Sequence, residues 1–335
     1  MTDSPPSPAS WATGAGITIA LPAYYEVGAV GATVAKLRQH FPDADILVVD
    51  DGSGDGTGEA AAKAGARVIR HPHNMGNGAA IKTCARNARG RYVVFMDADG
   101  QHDADDVPKL LTLLDQGYAL AVGARTKGSQ ANRVRGVGNA LLNRFASLLT
   151  GRHIPDLTSG FRAARTRAFQ GFVYLLPNGF SYPTTSTMAF MRSGLPVGFV
   201  PIVAGKRIGT SKINLIRDGF RFFVTILKVI TLFSPMRVFL PASILLFTMG
   251  AVRYLYVYLE SARLTNMPVL LFVASMLTFL IGLVSEQITS LHLGVSLARG
   301  DGAIDDLGGR WSDGIPSNEE ETAPETKPPP PDIIA

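Results

Sequence analysis

The chain has a single cysteine, Cys84, among its 335 residues. No internal disulfide can form, a thiolate metal cage is excluded, and a reducing compartment is the natural setting. Cys84 is expected simply to pack on a helix. The opening stretch, "MTDSPPSPASWATGAG", lacks the apolar core of a secretory signal and is rich in Pro, Ser and Gly, so residues 1–15 read as a disordered leader. No G-x-x-x-x-G-K-[ST] occurs and no G-x-G-x-x-G opens a helix after the first strand, which speaks against a P-loop hydrolase and a dinucleotide dehydrogenase. His71, His73 and His102 fall on separate loops without a close ligand pair on one helix, so zinc is not expected. Acids are missing altogether from residues 157–217, although Arg162, Arg165, Arg167, Arg192, Lys206, Arg207, Lys212 and Arg217 all lie there. Chemistry on that stretch must proceed without a local general base.

What is present begins with charge. The 32 Lys+Arg outnumber the 27 Asp+Glu, giving a net +5 and a pI near 9.3. That balance suits nucleic acid, an anionic membrane surface or a phosphorylated ligand. The basic residues concentrate ahead of long apolar segments rather than among stacking aromatics, so nucleic acid is disfavoured. Residues 17–203 alternate short apolar runs ("ITIALP", "DILVVD", "ARVIRH", "YVVFMD", "ALAVGA") with amphipathic stretches. This is the pattern of an α/β fold with a mostly parallel sheet covered on both faces. Ligands collect at the carboxyl ends of such strands. There the chain places Asp50 and Asp51, the turn from Tyr24 to Glu26, and the stretch "VFMDADGQH" with Asp97 and Asp99.

Beyond Lys212 the pattern changes. Residues 213–236 carry Ile213, Ile216, Phe220, Phe223, Ile226, Leu227, Ile230 and Phe233 at helical spacing, opposite Arg217, Arg221 and Lys228. A basic amphipathic helix of this kind suits a membrane interface, and a domain helix packed on the sheet is the alternative. Two long apolar segments follow within 237–296, at about 238–259 and 268–293, each long enough to cross roughly 30 Å of hydrocarbon. They read as a two-span hairpin in a lipid bilayer. The basic flank before the first span, against Glu260 and Arg263 between the spans, places both ends in the cytoplasm. Arg253 lies beside Tyr254, Tyr256 and Tyr258 and suits snorkelling, whereas Glu286 reads as a packing or oligomer contact. The acidic, proline-rich residues 297–335 form a disordered tail.

The pair Asp97 and Asp99 raises the chemical question. Carboxylates two residues apart on an extended segment point to the same side, and both can reach one divalent cation whose other positions stay open for phosphate oxygens. Acids here would equally serve the start of a helix at Asp105. The neighbouring stretches bear on the choice. "LPAYYE", "VVDDGSGDGTGEAA", "MDADGQH", "VGAR", "DLTSGFRA" and "RIGTSK", in that order over residues 17–212, resemble family 2 glycosyltransferases of the polyprenyl-phosphate branch, which includes dolichyl-phosphate mannose synthase.

The resemblance implies a GT-A-type, Rossmann-like catalytic domain over residues 16–212, a divalent cation (Mg2+ or Mn2+), a UDP- or GDP-sugar donor, and undecaprenyl or dolichyl phosphate as acceptor. By position it makes Pro22, Ala23, Tyr24, Glu26 and Asp51 the nucleoside pocket, with Asp97 and Ala98 also contacting the nucleotide. Asp97, Asp99 and Gln101 match the metal and diphosphate loop. Arg125, Arg135, Arg207 and Lys212 match cations around the donor and acceptor phosphates, and Asp156 and Ser159 match the acceptor-side loop. Asp99, Arg125 and Arg207 are the expected catalytic residues. Two positions depart from the family pattern: Tyr25 stands where Asn is usual, and Phe199 where an acid often precedes "VPI".

A phosphate acceptor is already anionic at neutral pH and needs cations rather than a base, in agreement with the acid-free stretch. A base supplied from elsewhere, such as Asp156, is the alternative. The expected activity is inverting, metal-dependent transfer of one hexose by a membrane-anchored enzyme, whose paired spans also offer surface for a homo-oligomer. A processive polysaccharide synthase would need more spans and a Q-x-x-R-W motif, but Leu307 precedes Arg310 and Trp311. A non-catalytic nucleotide-sugar sensor or scaffold would be expected to have lost the carboxylates or the cations.

Overall fold

The computed structural model describes residues 14–126, 143–144, 147, 153–179, 181–203, 231–261 and 265–299. The segments β1 (Ile17–Ala23), β2 (Asp45–Asp50), β3 (Arg67–Arg70), β4 (Tyr92–Phe95), β5 (Leu120–Arg125), β6 (Arg162–Arg165) and β7 (Val197–Ile202) join in a seven-stranded sheet of order β3-β2-β1-β4-β6-β5-β7. The apolar runs do not alternate with polar residues because helices cover both faces. On one face Ile17, Ile19 and Leu21 of β1 meet Val30, Val34 and Leu37 of α1 (Val27–His40), together with Leu110, Leu111 and Leu114 of α4 (Val107–Asp115). On the other, Ala20, Val93 and Phe95 meet α3 (Asn77–Asn87), α5 (Thr166–Phe172) and α6 (Tyr182–Arg192). The short α2 (Thr57–Lys63) links β2 to β3. Cys84 on α3 is buried in this second core, and burial pushes its thiol pKa far up, which leaves it inert.

Strand order places the site. From β1 the chain steps outward through β2 to β3, then returns to the other side of β1 with β4. The order therefore reverses between β1 and β4, and a crevice opens at their carboxyl ends. β6 runs antiparallel to both β4 and β5, with Arg162 opposite Phe95. An antiparallel strand begins where its parallel neighbours end, so the residues leading into Arg162 emerge at that same edge, beside the loop that follows β4.

The glycine-rich "HPHNMGNG" does not form a phosphate cradle. The Gly78 amide donates to the Gly179 carbonyl (3.1 Å) and the Ala79 amide to that of Asn178 (2.9 Å), so both are already taken by the chain. Gly78 packs directly against backbone carbonyls of 177–179, where a side chain has no room.

Two long helices, α7 (Met236–Ser261) and α8 (Asn266–Arg299), pack against one another as a hairpin. Gly250 lies under Phe272 and Gly282 against Phe239, and Ser275 Oγ donates to the Ser243 carbonyl (2.8 Å), the close contacts that helices use in lipid. The stretches Met236–Leu259 and Asn266–His292 are long and apolar enough to cross a membrane, and most of their large apolar side chains are exposed. The Arg253 guanidinium lies 5.5 Å from the centre of the Tyr256 ring.

With 34 residues α8 is about 50 Å long at 1.5 Å per residue, well beyond the roughly 30 Å of hydrocarbon. Its second half reaches the sheet domain. Glu286 Oε1 pairs with Arg192 of α6 (3.2 Å), and the Tyr174 hydroxyl donates to the His292 carbonyl. Glu286 is thus a packing contact between hairpin and domain. Phe233, which spacing places on the stripe offered to a membrane interface, is instead buried in the domain core. Residues 213–230 of the expected interface helix lie outside the described residues, as do Arg135, Arg207, Lys212 and most of the leader and tail.

Candidate active site

The side expected to take the donor is built from the ends of β1 and β2. Pro22 and Ala23 are buried, and the chain then turns outward through Tyr24 and Tyr25, which are 45% and 57% exposed. The turn is zipped onto the loop after β2. The amide of Tyr25 donates to Ser53 Oγ (3.0 Å), that of Glu26 to Thr57 Oγ1 (3.0 Å), and that of Val27 to Asp55 Oδ2 (3.3 Å). Tyr25 has φ +57°, in the left-handed region, a conformation that costs most residues about 1 kcal/mol or more. Asn tolerates that region, which gives a backbone reason for Asn at this position in the family. The Tyr24 and Tyr25 rings meet edge to face at 4.7 Å.

Asp51, expected in the nucleoside pocket, is engaged by the chain itself. Its Oδ1 accepts from His71 Nδ1 (2.7 Å) and the Met75 amide (2.9 Å), and its Oδ2 accepts from the Gly76 amide (2.9 Å). With Nδ1–H assigned to Asp51, His71 Nε2 accepts from Thr83 Oγ1 (2.9 Å). Asp51 therefore holds the 71–76 loop in place beside the pocket, and any contact to a base uses what acceptor capacity remains. Sequence reasoning gave His71 no role. The signal was available in the pairing of β2 with β3: Asp50 lies opposite Arg70, which makes Asp51 and His71 the next neighbours.

The loop expected to hold a metal departs from the geometry expected of it. β4 ends at Phe95, and Asp97, Ala98 and Asp99 follow in a turn rather than on an extended strand, so alternation along a strand does not place them. Asp99 is 8% exposed, and its Oδ1 accepts from the Gln101 amide (3.1 Å) across Gly100, which has φ +74°. The Asp97 side chain is 39% exposed, and its Oδ2 lies 3.7 Å from His102 Nε2. The His102 ring stacks on Phe161 at 5.0 Å. Asp103, not Asp97 or Asp99, caps the following 3₁₀ turn (Ala104–Asp106), through the Asp105 amide (3.1 Å). A helix start therefore does not account for the Asp97 and Asp99 pair.

Asp97 also bears on Gly160 from the loop before β6. A Cβ at Gly160 would sit 2.9 Å from Asp97 Oδ2 and 3.3 Å from Oδ1. The obstacle is the end of a side chain, which can swing aside. Gly160→Ala is accordingly expected to leave stability within about 1 kcal/mol while displacing the carboxylate and reducing turnover about 100-fold. Paired measurements of thermal unfolding and initial rate check this, and a drop in stability with the rate preserved would contradict it.

On the far side of the crevice, Arg125 and Asp156 form a bidentate pair. Arg125 Nε lies 2.7 Å from Asp156 Oδ2 and Nη2 3.1 Å from Oδ1, and the Thr158 amide also donates to Oδ1 (3.0 Å). Burial pushes the Asp156 carboxyl up, but the hydrogen bonds and charge of Arg125 outweigh it and hold the group below its ordinary range. Arg125, expected as a phosphate cation, has its guanidinium committed to this pair and to Thr158 Oγ1 (2.7 Å). A carboxylate so held is a poor general base. Ser159 is buried, and its Oγ has no hydrogen-bond partner among the described residues.

Among the described residues no three or more His, Cys, Asp or Glu side chains gather as a closed metal cage. Two carboxylates with Gln101 beside them fit a hard cation that keeps open positions for ligand oxygens. A mostly parallel sheet with an acidic pair after β4, facing a loop that enters by an antiparallel neighbour, is in keeping with the GT-A-type glycosyltransferase domain that the resemblance implies. Residues 18–172 match the family described as Glycosyl transferase family 2, and residues 234–291 match the GtrB C-terminal hairpin. The chain is 29% identical over 291 residues to glycosyltransferase AglJ of Haloferax volcanii, spanning 82% of this chain and 94% of that one. It is 31% identical over 215 residues to the dolichyl-phosphate hexose transferase of the same organism, spanning 64% and 93%. Among solved structures, glucosyl-3-phosphoglycerate synthase from Mycobacterium tuberculosis shares the fold, with TM-score 0.52 and 24% identity over 65% of this chain and 78% of that one. The chain belongs to glycosyltransferase family 2 and is a glycosyltransferase carrying a carboxyl-terminal hairpin of apolar helices.

Proposed function

We propose that the protein is a membrane-anchored, inverting transferase that moves a single hexose from a UDP- or GDP-sugar to a polyprenyl phosphate. In this reading the catalytic domain and both termini lie on the cytoplasmic side. The observation that carries it is the state of the acceptor side. Residues 157–217 contain no acid, and the acid at their head, Asp156, is tied to Arg125 with its pKa held low. A hydroxyl acceptor would need a base there, whereas a phosphate needs none. The printed name of one relative, dolichyl-phosphate hexose transferase, points the same way.

Asp97 and Asp99, with Gln101, are the residues suited to hold a divalent cation, Mg2+ or Mn2+. Such an ion supplies neutralising charge to a departing diphosphate. Tyr24, Pro22, Ala23, Ala98, Glu26 and Asp51 border the nucleoside. The acceptor phosphate, oriented by Ser159 and by the cations Arg135, Arg207 and Lys212, attacks the anomeric carbon as the bond to the nucleotide diphosphate breaks on the opposite face. The configuration inverts and no proton has to be removed.

Membranes containing the protein, given labelled UDP- and GDP-sugars in turn, are expected to move label into organic-extractable, mild-acid-labile lipid, with loss of the signal in EDTA. Transfer from no donor would overturn the reading in favour of a sensor. Label in a water-soluble polymer would favour a processive synthase.

A further inference from the structure

Arg162 stands at the start of β6 and is completely buried. Among the described residues no carboxylate pairs with it. Its guanidinium donates instead to neutral acceptors: Nη1 to the Pro183 carbonyl (2.9 Å), Ser186 Oγ (2.7 Å) and Thr187 Oγ1 (3.3 Å), and Nη2 to the Ser159 carbonyl. Burying a cation without an anionic partner is costly, and the amino-terminal end of a helix such as α6 is an unfavourable place for positive charge. The chain has nonetheless shaped this end to receive it. Thr184, Thr185, Ser186 and Thr187 are all buried, and Ser181 before them takes φ +94°.

What the arrangement holds is the turn ahead of β6. Arg162 grips the Ser159 carbonyl, and the hydroxyl of fully buried Tyr182 donates to the next carbonyl, that of Gly160 (3.0 Å). The two side chains support each other, with the guanidinium 5.5 Å from the Tyr182 ring centre. On its outer side the same turn meets Asp97 at Gly160 and carries the buried Ser159 Oγ, which has no hydrogen-bond partner among the described residues.

We propose that Arg162 and Tyr182 are a positioning pair for sugar transfer, fixing the Ser159–Gly160 turn between the donor-side carboxylate Asp97 and the acceptor phosphate. This rests on the acceptor reading given above. Neither residue touches a substrate. Two consecutive carbonyls pinned by buried donors cannot drift, and a misplacement of about 1 Å costs up to about 100-fold in rate. The nucleoside contacts lie at the ends of β1 and β2 and, through Ala98, in the loop after β4, and the hydrogen bonds of Arg162 and Tyr182 go to none of them. Loosening the turn therefore leaves nucleotide binding intact and slows attack by the acceptor. Attack by water on the same donor, which needs no acceptor loop, continues.

The test uses the full chain with Tyr182→Phe, which removes one hydroxyl, and Arg162→Lys, which keeps the charge but loses the planar fork. Four quantities are measured: transfer to polyprenyl phosphate, donor hydrolysis without acceptor, affinity for UDP and GDP with Mn2+, and thermal unfolding. For folded Tyr182→Phe the nucleotide Kd is expected within about twofold of wild type, hydrolysis unchanged, and transfer reduced about tenfold. Arg162→Lys, where it folds, is expected to lose about 100-fold in transfer with the same split. The proposal is overturned if Tyr182→Phe keeps the wild-type ratio of transfer to hydrolysis, or if nucleotide affinity and both reactions fall together. A wild-type protein that makes no lipid-linked product would sink the acceptor reading and the pair with it. A wild type active on lipid beside an unaltered Tyr182→Phe would sink the pair alone.

Discussion

Asp99→Asn is expected to abolish sugar transfer, with turnover reduced about 1000-fold or more. The substitution is nearly isosteric, and the amide oxygen of Asn can still accept from the Gln101 amide, so the turn around Gly100 is retained. What is lost is the negative charge at a position only 8% exposed, where nearby water does little to replace it. Stability is expected within about 1 kcal/mol of wild type. Titration calorimetry with Mn2+ and UDP or GDP should show cation-dependent uptake in the wild type and none in the variant. Retention of full turnover would remove the basis for assigning the cation to this loop.

The second large effect is on folding. Asp156→Ala removes the acceptor for Arg125 Nε and Nη2, the Arg125 amide, and the Thr158 amide and hydroxyl. Breaking a buried pair by deleting one partner costs about 3–5 kcal/mol, and the 26% exposure of the Arg125 side chain places the expected loss near the lower figure, about 3 kcal/mol. For a domain of this size that is a fall of roughly 10 °C in Tm. The pH dependence has a definite sign. A carboxyl held below its ordinary pKa of about 3.9 adds stability at neutral pH and loses it as the pH drops through the lowered folded value. Compared with Asp156→Asn, the wild type is thus expected to hold a constant advantage above about pH 5, and to surrender it progressively in acid. Thermal unfolding of both proteins across that range decides the point. An advantage that grows in acid would mean that the carboxyl is not held low.

The parts of the fold that sequence patterning reveals are those buried on both sides. β1, β2, β4 and β5 announce themselves as unbroken apolar runs, and the acids and glycines that follow the first three mark the edge of the sheet where the crevice opens. β6 is different, because "RAAR" has arginine at both ends and no apolar run, yet it is the strand that brings the acceptor loop beside β4. The partnership of Arg125 with Asp156 spans 31 residues and depends on that antiparallel neighbour, so no local spacing discloses it. The same holds for Glu286 and Arg192, 94 residues apart, which meet only because the hairpin folds back onto the domain. The Asp97 and Asp99 pair was legible as chemistry but not as geometry, since the strand stops two residues before the first of them.

Because β6 opposes the direction of its neighbours, the loop that precedes it and the loop that follows β4 emerge from adjacent strands at the same edge of the sheet. Neighbouring strands sit about 4.8 Å apart whatever their side chains. In the proposed reaction that interval would set how far apart the two loops hold donor and acceptor. The outer loops are free to diverge toward other sugars or longer lipids without resetting it.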